Sequence, residues 1–456
     1  MRWKPYPKYK DSGVEWLGEV PEHWEMFPLK RVTNVQLSNV DKHAIEGEQS
    51  IRLCNYVDVY KNERIIPSID FMVATATTEQ IKRLSLRLGD VLITKDSETP
   101  NDIGVPALVS EEVEGVVCGY HLALIRPNTG FAVGTYIARL LSCSYVKAYF
   151  ETTAVGMTRY GLGKYAIENL LVPIPTVDEQ RAIAAFLDAE TARIDSLIAD
   201  YESLIALLRE ERQAAISHAV TKGLNPNVLM KNSGIEWLGE VPEHWDAIDF
   251  RRTLSKQLSN GIFKKRESFG SGVQLVNVSD IYQDDFKVNQ FALGRVECSQ
   301  TEVDTYRVMN GDLLFVRSSL KEEGIAVTAI VDNLNEDTVF ECHLILARPD
   351  KSSVDSLYLV YYMNSSQVRA KLISSAKTAT MTTIDQESIL SKKLLVPPLY
   401  EQRTIAAFLD AETARIDSLI ADAEKAIELL RENHTALISD AVTGKLDVRD
   451  WQKESV

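Results

Sequence analysis

The chain reads as a mixed α/β protein written twice: two globular domains separated by two long antiparallel coiled-coil helices, in an internally duplicated, pseudo-two-fold architecture. Three observations predict this. SGVEWLGEVPEHWE at 12–25 returns as SGIEWLGEVPEHWD at 233–246. EQRAIAAFLDAETARIDSLIAD at 179–200 returns at 401–422 with one change, Ala182 to Thr404. Between these blocks the halves diverge, yet one offset of 222 residues still aligns LCNYVD (53–58) with LVNVSD (275–280), GDVLITKDS (89–97) with GDLLFVRSS (311–319), and HLALIRP (121–127) with HLILARP (343–349). Self-similarity at a fixed period signals a repeated structural unit. Uniform drift would scatter the differences, whereas here they spare the frame and cover the interior. A shared frame around two different interiors predicts one kind of partner engaged twice and two different targets.

The elements follow in order. Residues 1–25 form a Trp-containing lead, 26–177 the first globular domain, 178–224 the central long helix, 225–246 the second lead, 247–399 the second domain, 400–446 the C-terminal long helix and 447–456 a tail. Within the domains, apolar runs behind Gly-Asp turns predict strand cores kept in register. Residues 178–220 contain neither Gly nor Pro, and Asp178 is placed as an N-cap before Glu179 and Gln180. Ile183, Leu187, Ile194, Leu197, Tyr201, Leu204 and Leu208 step by threes and fours, the seam of a coiled coil. Ile405, Leu409, Ile416, Leu419, Ile427, Leu430 and Leu437 repeat it, with Gly223 and Gly444 as stops. Glu190 and Glu412 fall where the heptad expects an apolar residue. At ~1.5 Å per residue each helix is a rod of roughly 60 Å. Two such rods most simply pair antiparallel and hold the domains apart.

Composition sets outer bounds. With 456 residues, 45% apolar and 25% charged, the chain belongs to the soluble globular class. Five cysteines, Cys54, Cys118, Cys143, Cys298 and Cys342, form no CxxC pair, so neither a disulfide framework nor a zinc ribbon is expected. No run reaches 18 apolar residues, which predicts no membrane span, and a reducing cytoplasm is the expected compartment.

A net charge of −15 argues at first against a nucleic-acid partner. Counted by region it does not. Residues 26–175 carry 15 Lys plus Arg against 16 Asp plus Glu, and residues 247–398 carry 18 against 19, so the acidity resides in the leads, helices and tail. Basic residues also cluster. Lys264, Lys265 and Arg266 follow Asn260 and Gly261, and MTRYGLGKY (157–165) interleaves Arg159 and Lys164 with Tyr160, Tyr165 and two glycines. Basic and aromatic residues on Gly-rich loops suit phosphate positioning and base-edge contact. Lys95 with Ser97, and Arg317 with Ser318, stand just past matching strands. The candidate DNA contacts are therefore Lys95, Ser97, Arg159, Tyr160, Lys164, Lys264, Lys265, Arg266, Arg317 and Ser318.

No catalytic constellation is found. GMTRYGLGK (156–164) misses the phosphate-loop pattern, and VPPLY (396–400) reads as a proline stop rather than an adenine-methyltransferase tetrad. His121 and His343 align inside apolar runs and read as core imidazoles. Asp280, Asp285 and Lys287 have no counterpart set in the first copy and are not read as a nuclease site. Trp16, Trp24, Trp237 and Trp245, with His23 and His244, read as packing of the leads rather than as a ligand cage. No metal site is expected.

With its repeats in view, the sequence resembles the specificity subunit of type I DNA restriction and modification systems over essentially its whole length. The carrying residues are WLGEVPEHW (16–24 and 237–245), LLVPIPTVDEQRAIAAFLDAETARIDSLI (170–198) and LLVPPLYEQRTIAAFLDAETARIDSLI (394–420), in duplicated order. The resemblance implies a non-catalytic subunit with two target recognition domains, each reading one half of a bipartite, asymmetric sequence in double-stranded DNA. It implies that the helices set the gap between half-sites and dock two methyltransferase subunits, with two endonuclease and translocase subunits joining them. S-adenosylmethionine, ATP and Mg would belong to those partners and no cofactor to this chain. The rival reading is a coiled-coil scaffold that binds two proteins without DNA readout.

Overall fold

A computed structural model describes residues 4–378 and 381–451, so the first three residues of the predicted lead and the last five of the predicted tail lie outside it. The chain is mixed α/β and ends in a long C-terminal helix. It divides into two compact units, Met1–Asp200 with Ala426–Val456 (unit 1) and Tyr201–Lys425 (unit 2). The central helix, Val177–Lys222, and the C-terminal helix, Leu399–Val442, are thus each divided between units rather than standing apart as the sequence reading had them. Among the described residues no helix is long and apolar enough to cross a membrane.

Unit 1 is built on a five-stranded sheet in the order Thr33–Leu37, Leu122–Pro127, Val91–Thr94, Pro106–Val109, Arg64–Ile65, antiparallel except at its last pair. Successive side chains on a strand face opposite ways. Val91, Ile93, Ala123 and Ile125 accordingly pack with Tyr136, Ile137 and Leu140 and with Ile183 and Leu187 of the central helix. Leu92, Leu122 and Leu124 pack with Ile51, Leu53, Val116 and Val117 of a second, three-stranded sheet. Burial on both faces explains why these strands read as unbroken apolar runs.

Unit 2 repeats the plan. Leu313, Phe315, Ile345 and Ala347 pack with Tyr358, Ile405 and Leu409, while Leu314, Val316, Leu344 and Leu346 pack with Val276 and Phe340. The aligned Gly-Asp turns have the same chemistry. Gly89 and Gly311 take positive φ, and the following carboxylates, Asp90 and Asp312, are buried. Arg126 donates to both oxygens of Asp90 at 2.8 and 2.6 Å, and Arg348 to both of Asp312 at 2.8 and 2.7 Å. In LCNYVD and LVNVSD only the first residues are strand. Asn55 and Asn277 then cap short helical turns, with Asp58 and Asp280 closing the capping boxes, which gives Asp280 a structural place.

The repeated blocks are where each domain and lead meet a helix. Glu179 accepts from Tyr6 Oη at 2.7 Å and Trp24 Nε1 at 3.1 Å on one oxygen, and its other oxygen lies 2.9 Å from His23 Nε2. Glu401 holds Trp245 Nε1 at 3.2 Å and His244 Nε2 at 2.8 Å. Trp24 and Trp245 are fully buried, but Trp16 stands exposed. The next residue grips the domain: Gln180 accepts from Val133 N and donates to Phe131 and Pro175 carbonyls, as Gln402 accepts from Asp355 N and donates to those of Ser353 and Pro397. Two turns on, Asp188 receives Arg64 and Arg139, and Asp410 receives Lys287 and Tyr361.

The helix ends and seam depart from the sequence reading in detail. The central helix begins at Val177. Thr176 Oγ1 accepts the Glu179 N–H, so Thr176 caps it, and Asp178 is an exposed first-turn residue paired with Arg181. At the other end Gly223 and Gly444 both take positive φ, as predicted for stops, and Lys445 N–H reaches back to Asp440 O at 2.8 Å. Along the seam Ile183, Leu187, Ile194, Leu208, Ile405, Leu409 and Ile416 are buried, while Leu197 and Leu430 are half-buried. Leu204 and Leu419 are exposed, their neighbours Ile205 and Ile420 turning inward instead. Thr191 and Thr413, not Glu190 and Glu412, take the intermediate buried positions, each hydroxyl donating to the carbonyl one turn back. Each glutamate pairs with an arginine three residues on. Within unit 2, Arg209 pairs with Glu424 and Arg212 with Asp417, so position rises along one helix as it falls along the other, and Arg415 pairs with Glu211 in the same stretch. Within unit 1, His434 Nε2 lies 3.8 Å from Asp195.

Candidate nucleic-acid interface

Each unit carries a small three-stranded sheet beyond its main sheet. In unit 1 Asp96–Ser97 pairs with Tyr160–Gly161, which pairs with Val155–Gly156. In unit 2 Ser318–Ser319 pairs with Thr382–Thr383, which pairs with Lys377–Thr378. Both arise because the chain runs on past a buried strand of the main sheet and is met by a late hairpin of the same domain.

This sheet collects four of the candidate contacts of unit 1. Arg159 is exposed at the hairpin turn, beside Met157, which is 93% exposed, and Tyr160 lies half-buried opposite Ser97. Ser97 is buried and accepts the Thr99 N–H. Lys95 is also buried. Its ammonium donates to Asp96 Oδ2 at 2.9 Å and lies 4.6 Å from the Tyr120 ring centroid. Lys164 stands apart, exposed at the start of the helix Lys164–Glu168 and paired with Glu168.

Sequence reasoning missed two members of this cluster. His121 was expected in a strand core, but Leu122–Pro127 begins one residue later and leaves His121 in the preceding turn, its Nδ1 2.8 Å from Asp96 Oδ2. Burial alone would push the Asp96 carboxyl up; the hydrogen bonds from Lys95 and His121 outweigh it and hold it below the ordinary value. His343 is exposed at the same turn of unit 2. The signal for both was the residue two positions before each histidine, Gly119 and Glu341, which breaks the apolar run.

In unit 2, Arg317 is half-buried and donates through Nη1 to Cys342 O at 3.3 Å, and Ser318 is buried beside it. The basic run at 264–266 lies elsewhere. Lys264 is paired with Glu302 at 2.8 Å, and this hydrogen bond, with the Ser299 amide and hydroxyl, holds the Glu302 carboxyl down at about 2. Lys265 and Arg266 are exposed. Among the described residues no group of three or more His, Cys, Asp or Glu side chains is placed to hold a metal ion.

A family model described as the type I restriction modification DNA specificity domain matches residues 21–201 and 262–429, one copy on each half of the duplication. This chain belongs to that family. Type I specificity subunits are non-catalytic, and their part in the restriction-modification complex is DNA recognition. Among curated relatives, the type I restriction enzyme EcoKI specificity subunit of Escherichia coli (strain K12) is 24% identical over 452 residues, covering 96% of this chain and 92% of the relative. The StySPI specificity subunit of Salmonella potsdam is 24% identical over 453 residues with the same coverage. Solved structures agree in fold. A chain from work on assembly and conformational transition of the type I R-M system matches with TM-score 0.72 at 16% identity, covering 94% of this chain and 99% of that one. The HsdS subunit from Thermoanaerobacter tengcongensis matches with TM-score 0.58 at 18% identity, covering 94% and 98%.

Proposed function

We propose that this specificity subunit reads a bipartite, asymmetric DNA sequence, residues 26–177 reading one half-site and residues 247–399 the other. The observation that carries the reading is the contrast between contacts that repeat and surfaces that do not. Glu179 and Glu401, Gln180 and Gln402, and Asp188 and Asp410 fix lead and domain to helix in the same way, while the small sheets beyond carry different side chains. A common frame serves a common partner, taken here as two methyltransferase subunits, and the changed surfaces serve two different sequences. Two endonuclease and translocase subunits complete the complex. S-adenosylmethionine, and ATP with Mg, belong to those partners.

The two long helices act as the spacer between half-sites, paired antiparallel. The opposed ion pairs Arg212 with Asp417 and Arg209 with Glu424 support this pairing. Half-sites read from one face of a duplex lie about one helical turn, ~34 Å, apart. The test is to co-express the chain with a methyltransferase partner and map methylated adenines across a genome. Two half-sites separated by a fixed gap are expected, and replacing residues 26–177 with the matching part of a relative changes one half-site only. A complex that assembles without sequence-dependent methylation would favour the scaffold reading instead.

A further inference from the structure

The duplication supplies an internal comparison at the small sheets, and the backbone there repeats residue for residue. Lys95 N–H donates to His121 O at 2.9 Å and Leu162 N–H to Lys95 O at 2.8 Å; 222 residues later Arg317 N–H donates to His343 O at 2.8 Å and Ile384 N–H to Arg317 O at 3.0 Å. Asp96 opposes Gly161 and Ser97 opposes Tyr160, just as Ser318 opposes Thr383 and Ser319 opposes Thr382. On this common backbone the functional groups change. Unit 1 presents Lys95, Asp96 and Tyr120, and unit 2 presents Arg317, Ser318 and Cys342 at the same places, while the histidine (His121, His343) and the second serine (Ser97, Ser319) are kept.

These groups are also held ready rather than used up. Asp96 Oδ2 is occupied by Lys95 and His121, but its Oδ1 has no hydrogen-bond partner among the described residues. Arg317 uses one Nη1–H on Cys342 O, and its Nε and Nη2 have none among the described residues. Half-burying charged groups costs desolvation free energy that a purely structural cradle could avoid with apolar side chains. Preorganised, partly unsatisfied donors and acceptors of different pattern on one backbone are what two base readers require. Major-groove base edges are told apart by such patterns: a carboxylate accepts from the cytosine amino group, and a guanidinium donates to the two acceptors of guanine.

We propose that these two cradles are specificity-determining sites, Asp96 selecting cytosine in the half-site of unit 1 and Arg317 selecting guanine in that of unit 2. Lys95 and His121 are positioning residues that aim the carboxylate. The inference rests on the bipartite reading above, and the experiment separates the two. The full complex with its methyltransferase partner is tested on the mapped wild-type site and on duplexes in which each half-site position is varied base by base, reading both binding and adenine methylation.

Asp96→Asn, an isostere, should relax or switch one position of one half-site, and Arg317→Ala should lower the preference for guanine at one position of the other by about 10- to 100-fold. In each case the untouched half-site keeps its sequence, which reports that the subunit has folded and assembled. Lys95→Met should weaken the same discrimination as Asp96→Asn. Binding that falls by the same factor for every sequence overturns the proposal, as does an unchanged preference at all positions. A wild-type complex with no bipartite site defeats the underlying reading as well.

Discussion

The Trp24 indole donates to Glu179 Oε1 at 3.1 Å across 155 residues of sequence, and this bond ties the lead of unit 1 to the start of the central helix. Tyr6 donates to the same oxygen. Removing the carboxylate leaves two buried donors without an acceptor, each costing about 1–3 kcal/mol. Glu179→Ala should therefore lower the stability of unit 1 measurably and free the strand Tyr9–Asp11 to exchange its amide hydrogens. Glu401→Ala should cost less, because Glu401 is more exposed and holds one buried indole. Equal effects of the two, read by hydrogen exchange and thermal melting, would contradict this account.

Asp90 and Asp312 should be the least replaceable carboxylates of the domains. Each is buried under a bidentate arginine, and removing one partner of such a pair typically costs about 3–5 kcal/mol by stranding the other charge. Asp90→Ala should destabilise unit 1 and spare unit 2, and Asp312→Ala the reverse. Limited proteolysis, which reports local opening, distinguishes the two.

The Lys264–Glu302 pair gives a pH dependence with a definite sign. The folded carboxyl titrates at about 2, below the ordinary 4.5. The pair's contribution is therefore fully present above pH 4.5 and lost as the pH falls from there towards 2. Carboxyl-carbon NMR of Glu302 should show its ionised form persisting at pH 3, and Lys264→Met should raise the titration towards the ordinary range without reaching it, because the Ser299 amide and hydroxyl still donate to the carboxylate.

Shortening the spacer tests the role of the long helices. Deleting two helical turns within residues 201–215, with the matching turns of the C-terminal helix, removes about 10.5 Å. Both half-sites should keep their sequences while the gap between them shortens by about 3 base pairs at ~3.4 Å each. A gap of the original length would refute the spacer role.

The duplication, the two long helices, their glycine stops and the strand cores behind the Gly-Asp turns were all legible, because each leaves a periodic or repeated trace in one dimension. The seam was legible only in part. Positions 187, 194, 201 and 208 are shared by the predicted and observed stripes, but the residue between them falls four rather than three steps on, at Thr191, Ile198 and Ile205. Leu197 next to Ile198 and Leu204 next to Ile205 are equally apolar, so hydrophobicity cannot choose between them. Threonine conceals its burial because its hydroxyl is satisfied inside its own helix. The Asp96–His121 contact was illegible for a different reason: it joins a residue on a short strand to one in the turn before another strand, and no local pattern reveals that they meet.

The division of the helices also fixes an order of events during synthesis. Leu437, Ile438, Ala441 and Val442 complete the core of unit 1, and Tyr9 Oη donates to Gly444 O across 435 residues. Everything in unit 2 has been made by Lys425, whereas unit 1 must wait for the strand of chain that follows it. On the ribosome the half that is begun first is therefore the half that is finished last, and a message cut short after Lys425 would yield a complete unit 2 beside an open unit 1.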